Sequence, residues 1–252
     1  MTEVRVEVSQ PQDGVRLITL RNDATRNAID GLMCEQLAAV AAQLRDDAEV
    51  RAAVITGADP AFCAGANLAS LFGDLTRPIA AIRADLGTVY ASFLALRELP
   101  FPTIAAVNGA AVGAGLNIAL CCDVVIAGPK ALFSVPFTKI GLHQGGGATH
   151  FLVEALGRQK AMRLLLEGGA LNGADAVALG LAESAADDPL AAALELAAHV
   201  ATLDGRLARD IKTSVRRAAS SSLEAVVEFE AWAQAATAQG ERFAEVVRSY
   251  RR

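Results

Sequence analysis

Hydrophobic and polar positions change period along this chain, and the changes mark its elements. VRVEV (4–8) alternates and VRLITL (15–20) is rich in β-branched residues, with QPQDG between them, which predicts a hairpin. Asp30 stands ready to cap a helix whose apolar positions include Leu37, Val40, Ala41 and Leu44. AAVIT (52–56) reads as a buried strand that stops at Gly57 and Asp59-Pro60, and residues 61–78 read as a loop. Ile82, Leu86, Val89, Phe93 and Leu96 recur at spacings of 4, 3, 4 and 3, predicting a helix over 79–98 that Pro100 and Pro102 end. TIAAV (103–107) and DVVIAG (123–128) are two further buried strands, separated by a glycine turn and a short helix near 114–121. Beyond Gly141 the pattern is wholly helical, with Asn172 and Asp175 opening a helix at 173–179 that Gly180 closes, and a Ser221/Glu224 capping box opening another at 222–237.

Alternating strands and helices to about residue 140, then helices alone, predict an α/β body with buried strands. Residues 191–252 are too thin in large apolar side chains for an independent domain. They are expected to pack on the core, residues 1–190, or on another subunit.

Composition narrows the picture. Hydrophobic residues make up 53% of 252, enough for a large core without disulfides. The net charge of −5 and pI near 5.3 argue against nucleic acid as a partner. The one basic run, Arg206 to Arg217, is diluted by Asp210 and reads as a solvated helix face. Mean hydropathy is +0.34. The most apolar window, residues 109–128, holds Asn117, Asp123 and glycines, so no membrane span is expected. MTEVRVEVSQ has no apolar signal core, which points to a cytoplasmic protein. Cys34, Cys63, Cys121 and Cys122 form no CxxC pair, and three histidines show no ligand spacing, so no metal is expected.

Two glycine clusters invite phosphate-binding readings, and both fail. GAAVGAG (109–115) would need glycine where Ile118 stands to be a dinucleotide fingerprint, and neither it nor GLHQGGG (141–147) ends in Gly-Lys-Ser/Thr. No GxSxG occurs. A strand ending at Val107 and a helix starting near Ala114 instead leave free N–H groups at a turn, where small residues 113–115 let a ligand approach. FCAGANL (62–68), after strand 52–56, has the same character. Two such exits suit a two-donor hole for a thioester enolate oxygen. Tight turn packing explains the same residues, and the pattern alone leaves both readings open.

The ordered strings RNA (26–28), FCAGANL (62–68), NGAAVGAGLNIALCCDVVIAG (108–128), FSVPFTKIGL (133–142), GGGAT (145–149) and LNGADAVALGLA (171–182) resemble the crotonase superfamily, the enoyl-CoA hydratases and isomerases. The resemblance spans nearly the whole chain. It implies a spiral of ββα units, a helical C-terminal trimerisation region, often a dimer of trimers, and an acyl-CoA thioester as partner, with coenzyme A part of the substrate and no separate cofactor. Ala66 and Ala114 match the family's backbone oxyanion donors. Arg26, Ala28, Ala64, Asn67 and Leu68 match the segments that hold coenzyme A, although Asn67 replaces the usual Asp. Gly113, Phe137, Leu142 and His143 complete the expected substrate contacts.

The departures concern the acid–base groups. The family's two catalytic glutamates fall on Asn117 and Phe137, and the aspartate of aromatic-CoA dehalogenases falls on Gly145. Hydration needs a carboxylate to take a proton from water and an acid to deliver one to the α-carbon. Asn117 can orient water but is no base, and Phe137 can only line an acyl pocket. Losing such help typically costs about 10²–10⁴-fold per group. His143 is a candidate replacement, and His150 a weaker one. His199, Tyr90 and Glu98 read as ordinary helix residues, Cys63 as packing, and Asp123 as a cap or structural partner. The leading expectation is an acyl-CoA enzyme of weak or altered hydratase chemistry. The alternatives are a non-catalytic acyl-CoA carrier and a decarboxylase or thioesterase on the same fold.

Overall fold

A computed structural model describes residue 3 and residues 5–250, so Val4 of the expected first strand lies outside the described residues. Strands β1 (Val6–Gln12) and β2 (Val15–Leu20) form the expected antiparallel hairpin. Helix α1 (Gly31–Asp46) starts where Asp30 accepts a hydrogen bond from Met33 N at 2.8 Å, and it buries Met33, Cys34, Leu37, Ala41 and Leu44. Then follow β3 (Ala52–Gly57), β4 (Ala61–Cys63), α2 (Leu68–Phe72), α3 (Ile79–Arg97), β5 (Thr103–Val107), β6 (Ala110–Val112), α4 (Ala114–Leu120), β7 (Val124–Ala127) and β8 (Leu132–Ser134). The rest comprises α5 (Ala148–Leu156), α6 (Arg158–Glu167), β9 (Ala170–Asn172), α7 (Gly173–Leu179), β10 (Ser184–Ala185), α8 (Pro189–Ala201), α9 (Gly205–Ala218), α10 (Leu223–Ala238) and α11 (Glu241–Tyr250).

The strands sort into two sheets in order β1-β2-β3-β5-β7-β10 and β4-β6-β8-β9. After the hairpin, each of the pairs β3/β4, β5/β6 and β7/β8 places one strand in each sheet. β3, β5 and β7 align in parallel through Val54↔Ile104 and Ile104↔Val124, while β4, β6 and β8 align through Ala61↔Ala110 and Ala110↔Leu132. Two short strands, one in each sheet, followed by helix, make the repeating ββα spiral. The first core, with Phe62, Phe93, Phe101 and Phe133 fully buried, fills its interior. A second core lies on the other face of the larger sheet, where Val54, Ile104 and Ile126 meet Ala193 and Ala197 of α8. Small alanines on that helix let it lie close to the strands.

The three-residue strands β4, β6 and β8 are absent from the hydrophobic pattern, and α2 and β4 occupy the stretch expected as loop. β9 and β10 interrupt the region expected to be wholly helical. Segments this short carry no readable period; pairing across the spiral creates them. The α10 cap is Ser222, whose hydroxyl accepts from Ala225 N, one residue beyond the expected Ser221.

The basic run is only partly a solvated face. Lys212 is buried, with Nζ 2.7 Å from Asp123 Oδ2 and 3.0 Å from the Phe101 carbonyl. Asp123 also accepts from Thr103 N and Oγ1, so its structural role is as expected. Arg216 donates to the Arg97 carbonyl and to Glu98, giving Glu98 a structural partner. These contacts fasten α9 to the core. α3 has the length and apolarity of a spanning helix, but it packs Val89, Phe93 and Leu96 inward.

Candidate active site

The turn that opens α4 is pressed against the loop that leaves β4. Gly115 has no room for a side chain, since a Cβ there would lie 2.2 Å from the Cys63 carbonyl oxygen. Gly65, at φ +99°, would place a Cβ 2.7 Å from the Val112 carbonyl oxygen and 4.0 Å from Ala114 N. Glycine at both positions therefore lets the Ala66 and Ala114 loops lie side by side.

The amides in these loops divide their work. Ala66 pairs with Ile29 in an isolated parallel bridge, through Ile29 N to Gly65 O at 2.7 Å and Asn67 N to Ile29 O at 2.8 Å. That bridge uses the groups flanking Ala66 and turns the Ala66 N–H to the other side. In α4 the ladder begins with Asn117 N to the Gly113 carbonyl at 3.1 Å, so the Ala114 N–H precedes the first helical bond. Among the described residues, neither the Ala66 nor the Ala114 amide donates to a protein acceptor. Both residues are half-buried. Two unused donors at the start of a helix, in neighbouring small-residue loops, can receive one developing negative oxygen.

Asn117 lies one turn further along α4 and is buried. Its Nδ2 donates to the Gly145 carbonyl at 2.9 Å. Because a carbonyl can only accept, the amide nitrogen must face it, which leaves Oδ1 without a partner and sealed from solvent. In this conformation Asn117 braces the turn before α5. Phe137 packs over Gly113, its Cζ 3.5 Å from where a Cβ would stand.

Tyr90, expected as an ordinary helix residue, stands beside this turn. A Cβ on Gly145 would fall 2.1 Å from the Tyr90 hydroxyl, and one on Gly146 would meet Asn117 Nδ2 and Phe93 Cζ, each at 2.7 Å. The Tyr90 hydroxyl thus occupies the space of a side chain at 145. Burial pushes its phenol above the usual range, so it keeps its proton at neutral pH. Spacing along α3 could not reveal this, because Tyr90 continues the same apolar stripe.

The remaining expected residues are spread along the rim. Arg26 is exposed and left-handed at φ 55°, and its carbonyl accepts from Ala64 N at 3.0 Å. Ala28 is buried. Asn67 caps α2 by accepting from Ser70 N at 3.1 Å, and Leu68 next to it is exposed. Leu142 is exposed, and its amide is tied to the Phe137 carbonyl. His143 is exposed, with Nδ1 2.7 Å from the Gln144 carbonyl, and His150 pairs with Glu154 at 3.5 Å. Burial pushes the Cys63 thiol up to about 12, consistent with a packing role and not a nucleophile. Among the described residues no three His, Cys, Asp or Glu side chains gather as a metal site. A surface groove of about 620 Å³ runs along α6 from Arg158 to Glu167 and shares no residue with these loops.

A ββα spiral with facing strand-exit loops is the crotonase fold. An enoyl-CoA hydratase from Bacillus anthracis is similar to it with a TM-score of 0.90 and 25% identity, over 98% of this chain and 96% of that one. A putative enoyl-CoA hydratase/isomerase structure from Mycobacterium abscessus gives 0.90 and 30%, over 97% and 95%. The enoyl-CoA hydratase/isomerase family model matches residues 10–251, and the chain belongs to that family, whose enzymes are of the lyase and isomerase type. Among curated relatives, the probable enoyl-CoA hydratase EchA14 of Mycobacterium tuberculosis is 47% identical over 209 residues, covering 82% of this chain and 79% of its own. The 1,2-epoxyphenylacetyl-CoA isomerase of Escherichia coli is 34% identical over 226 residues, covering 88% and 86%.

Proposed function

We propose that this protein binds acyl-CoA thioesters with the thioester oxygen between the Ala66 and Ala114 amides and stabilises the enolate formed there. The observation that carries the reading is the pair of unpartnered N–H groups in adjoining loops. Coenzyme A would lie along Arg26, Ala64, Asn67 and Leu68, with Phe137 and Leu142 against the acyl group.

The polar groups around the acyl position are Asn117, already committed to Gly145, and the protonated Tyr90 hydroxyl. A phenol that holds its proton can deliver it to an enolate carbon, but it does not take one from water. This set supports slow hydration and favours chemistry in which the enolate arises without a base. Loss of carbon dioxide from an acyl-CoA that carries a carboxylate on its α-carbon is such a reaction: the electrons of the bond from Cα to the carboxylate pass into the thioester enolate, and a proton then closes the α-carbon. Exposed Ile211, Val215, Trp232 and Phe243 on α9–α11 support self-association through the C-terminal helices.

The test is loss of conjugated-thioester absorbance with crotonyl-CoA, run beside carbon dioxide release from malonyl- and methylmalonyl-CoA, with identically purified Ala114→Pro protein as the control for host enzymes. Control-sensitive turnover of any of these supports the proposal, and decarboxylation without hydration supports the acid-without-base reading. The absence of both binding and turnover with every thioester in the set would sink it.

A further inference from the structure

Among the described residues, Asn27 is the side chain that hydrogen-bonds across the two segments framing Ala66. It is 1% exposed and left-handed at φ 61°, directly after Arg26 at φ 55°. Two consecutive non-glycine residues in this region cost free energy and persist only where surrounding contacts over-determine them. Here the contacts are the side chain's own. Asn27 Nδ2 donates to the Ala58 carbonyl at 2.6 Å and to the Ala61 carbonyl at 2.8 Å, on either side of the turn into β4. Its Oδ1 accepts from Asn22 N at 2.8 Å, and its own amide donates to the Asn22 carbonyl at 2.9 Å. Asparagine is suited to this position because it tolerates the left-handed conformation and carries two donors and an acceptor on a short arm.

The consequence reaches Ala66 through the backbone. With Asn27 fixed, the Arg26 carbonyl accepts from Ala64 N, Ile29 N donates to Gly65 O, and the Ile29 carbonyl accepts from Asn67 N. These bonds bracket Ala66 on both sides and set the direction of its N–H.

We propose that Asn27 is a positioning residue that aims the Ala66 amide by locking residues 22–29 against residues 58–67. The inference rests on the reading of Ala66 as an oxyanion donor. It predicts that folded Asn27 variants lose carbonyl polarisation in the bound thioester, read at saturation.

The experiment uses 4-(dimethylamino)cinnamoyl-CoA, a thioester whose absorbance moves to the red as its carbonyl is polarised. Wild-type protein is expected to bind it with a red shift. Asn27→Gly keeps the left-handed backbone and deletes only the side-chain bonds; Asn27→Asp keeps the shape and the acceptor but loses both donors. Each is expected to stay folded and, with the probe at saturation, to lose at least half of the shift. A folded variant with the full shift would overturn the positioning role. So would failure of both variants to fold, because Asn27 would then hold the whole fold and not the loop. Wild-type protein that binds the probe without any shift would overturn the oxyanion reading itself, and the inference with it.

Discussion

Replacing Ala114 by proline separates the site from the fold with little collateral change. Ala114 is the first residue of α4, and the helical ladder starts with Asn117 N on the Gly113 carbonyl, so the Ala114 N–H has no intrahelical role. Proline is well tolerated at a first helical position, where its fixed φ suits the helix. The expected stability change is therefore within about 1 kcal/mol. Removing one of two oxyanion donors should cost about 10²–10³-fold in turnover, or roughly 2.7–4 kcal/mol of transition-state stabilisation. Ground-state affinity should fall less, because a resting thioester carbonyl carries little negative charge. The assay is a parallel measurement of urea midpoint, acyl-CoA affinity and turnover of the best thioester in the test set. A variant as stable as wild type that turns over at the wild-type rate would refute the assignment of Ala114.

Four further outcomes follow from the packing. Gly65→Ala forces a Cβ to 2.7 Å from the Val112 carbonyl at φ +99°, so it should lower stability by about 1–3 kcal/mol and weaken thioester binding; unchanged values of both in denaturation and titration would contradict the close loop contact. Lys212→Met leaves the Asp123 carboxylate beside Thr103 without its cation, and should cost about 2–4 kcal/mol in urea unfolding, with an unchanged midpoint counting against the α9 clasp. All four cysteines are buried, and burial pushes Cys63 and Cys121 up to about 12, so a disulfide reagent at pH 8 should label native protein slowly and unfolded protein fully. The folded thiols hold protons that the unfolded chain, at 9.0, releases first; stability present below pH 9 should therefore fall as pH rises towards 12, as a denaturation series would record.

The longer elements were legible because each carries a full period or a cap. Asp30, the apolar stripe of α3, and the continuous runs of β3, β5 and β7 announce themselves locally. The second sheet does not, since three-residue strands exist only through pairing with neighbours far along the chain, as Ala61 with Ala110 and Ala110 with Leu132. The same division holds at the site. The Ala66 and Ala114 loops stood out as small residues at strand exits. Tyr90 and Asn27 did not, because the role of one depends on Gly145 lying across from α3 and that of the other on carbonyls at 58 and 61. Lys212 was hidden among basic neighbours, and only its contacts with Asp123 and the Phe101 carbonyl reveal it as the buried cation of that run.

The most direct test of the central claim is a crystal structure of the protein with butyryl-CoA. The account predicts the thioester oxygen at about 2.7–3.1 Å from both Ala66 N and Ala114 N, with the acyl chain directed toward Phe137 and Tyr90. A thioester oxygen beyond hydrogen-bond distance of both amides, in a fully occupied complex, would contradict it.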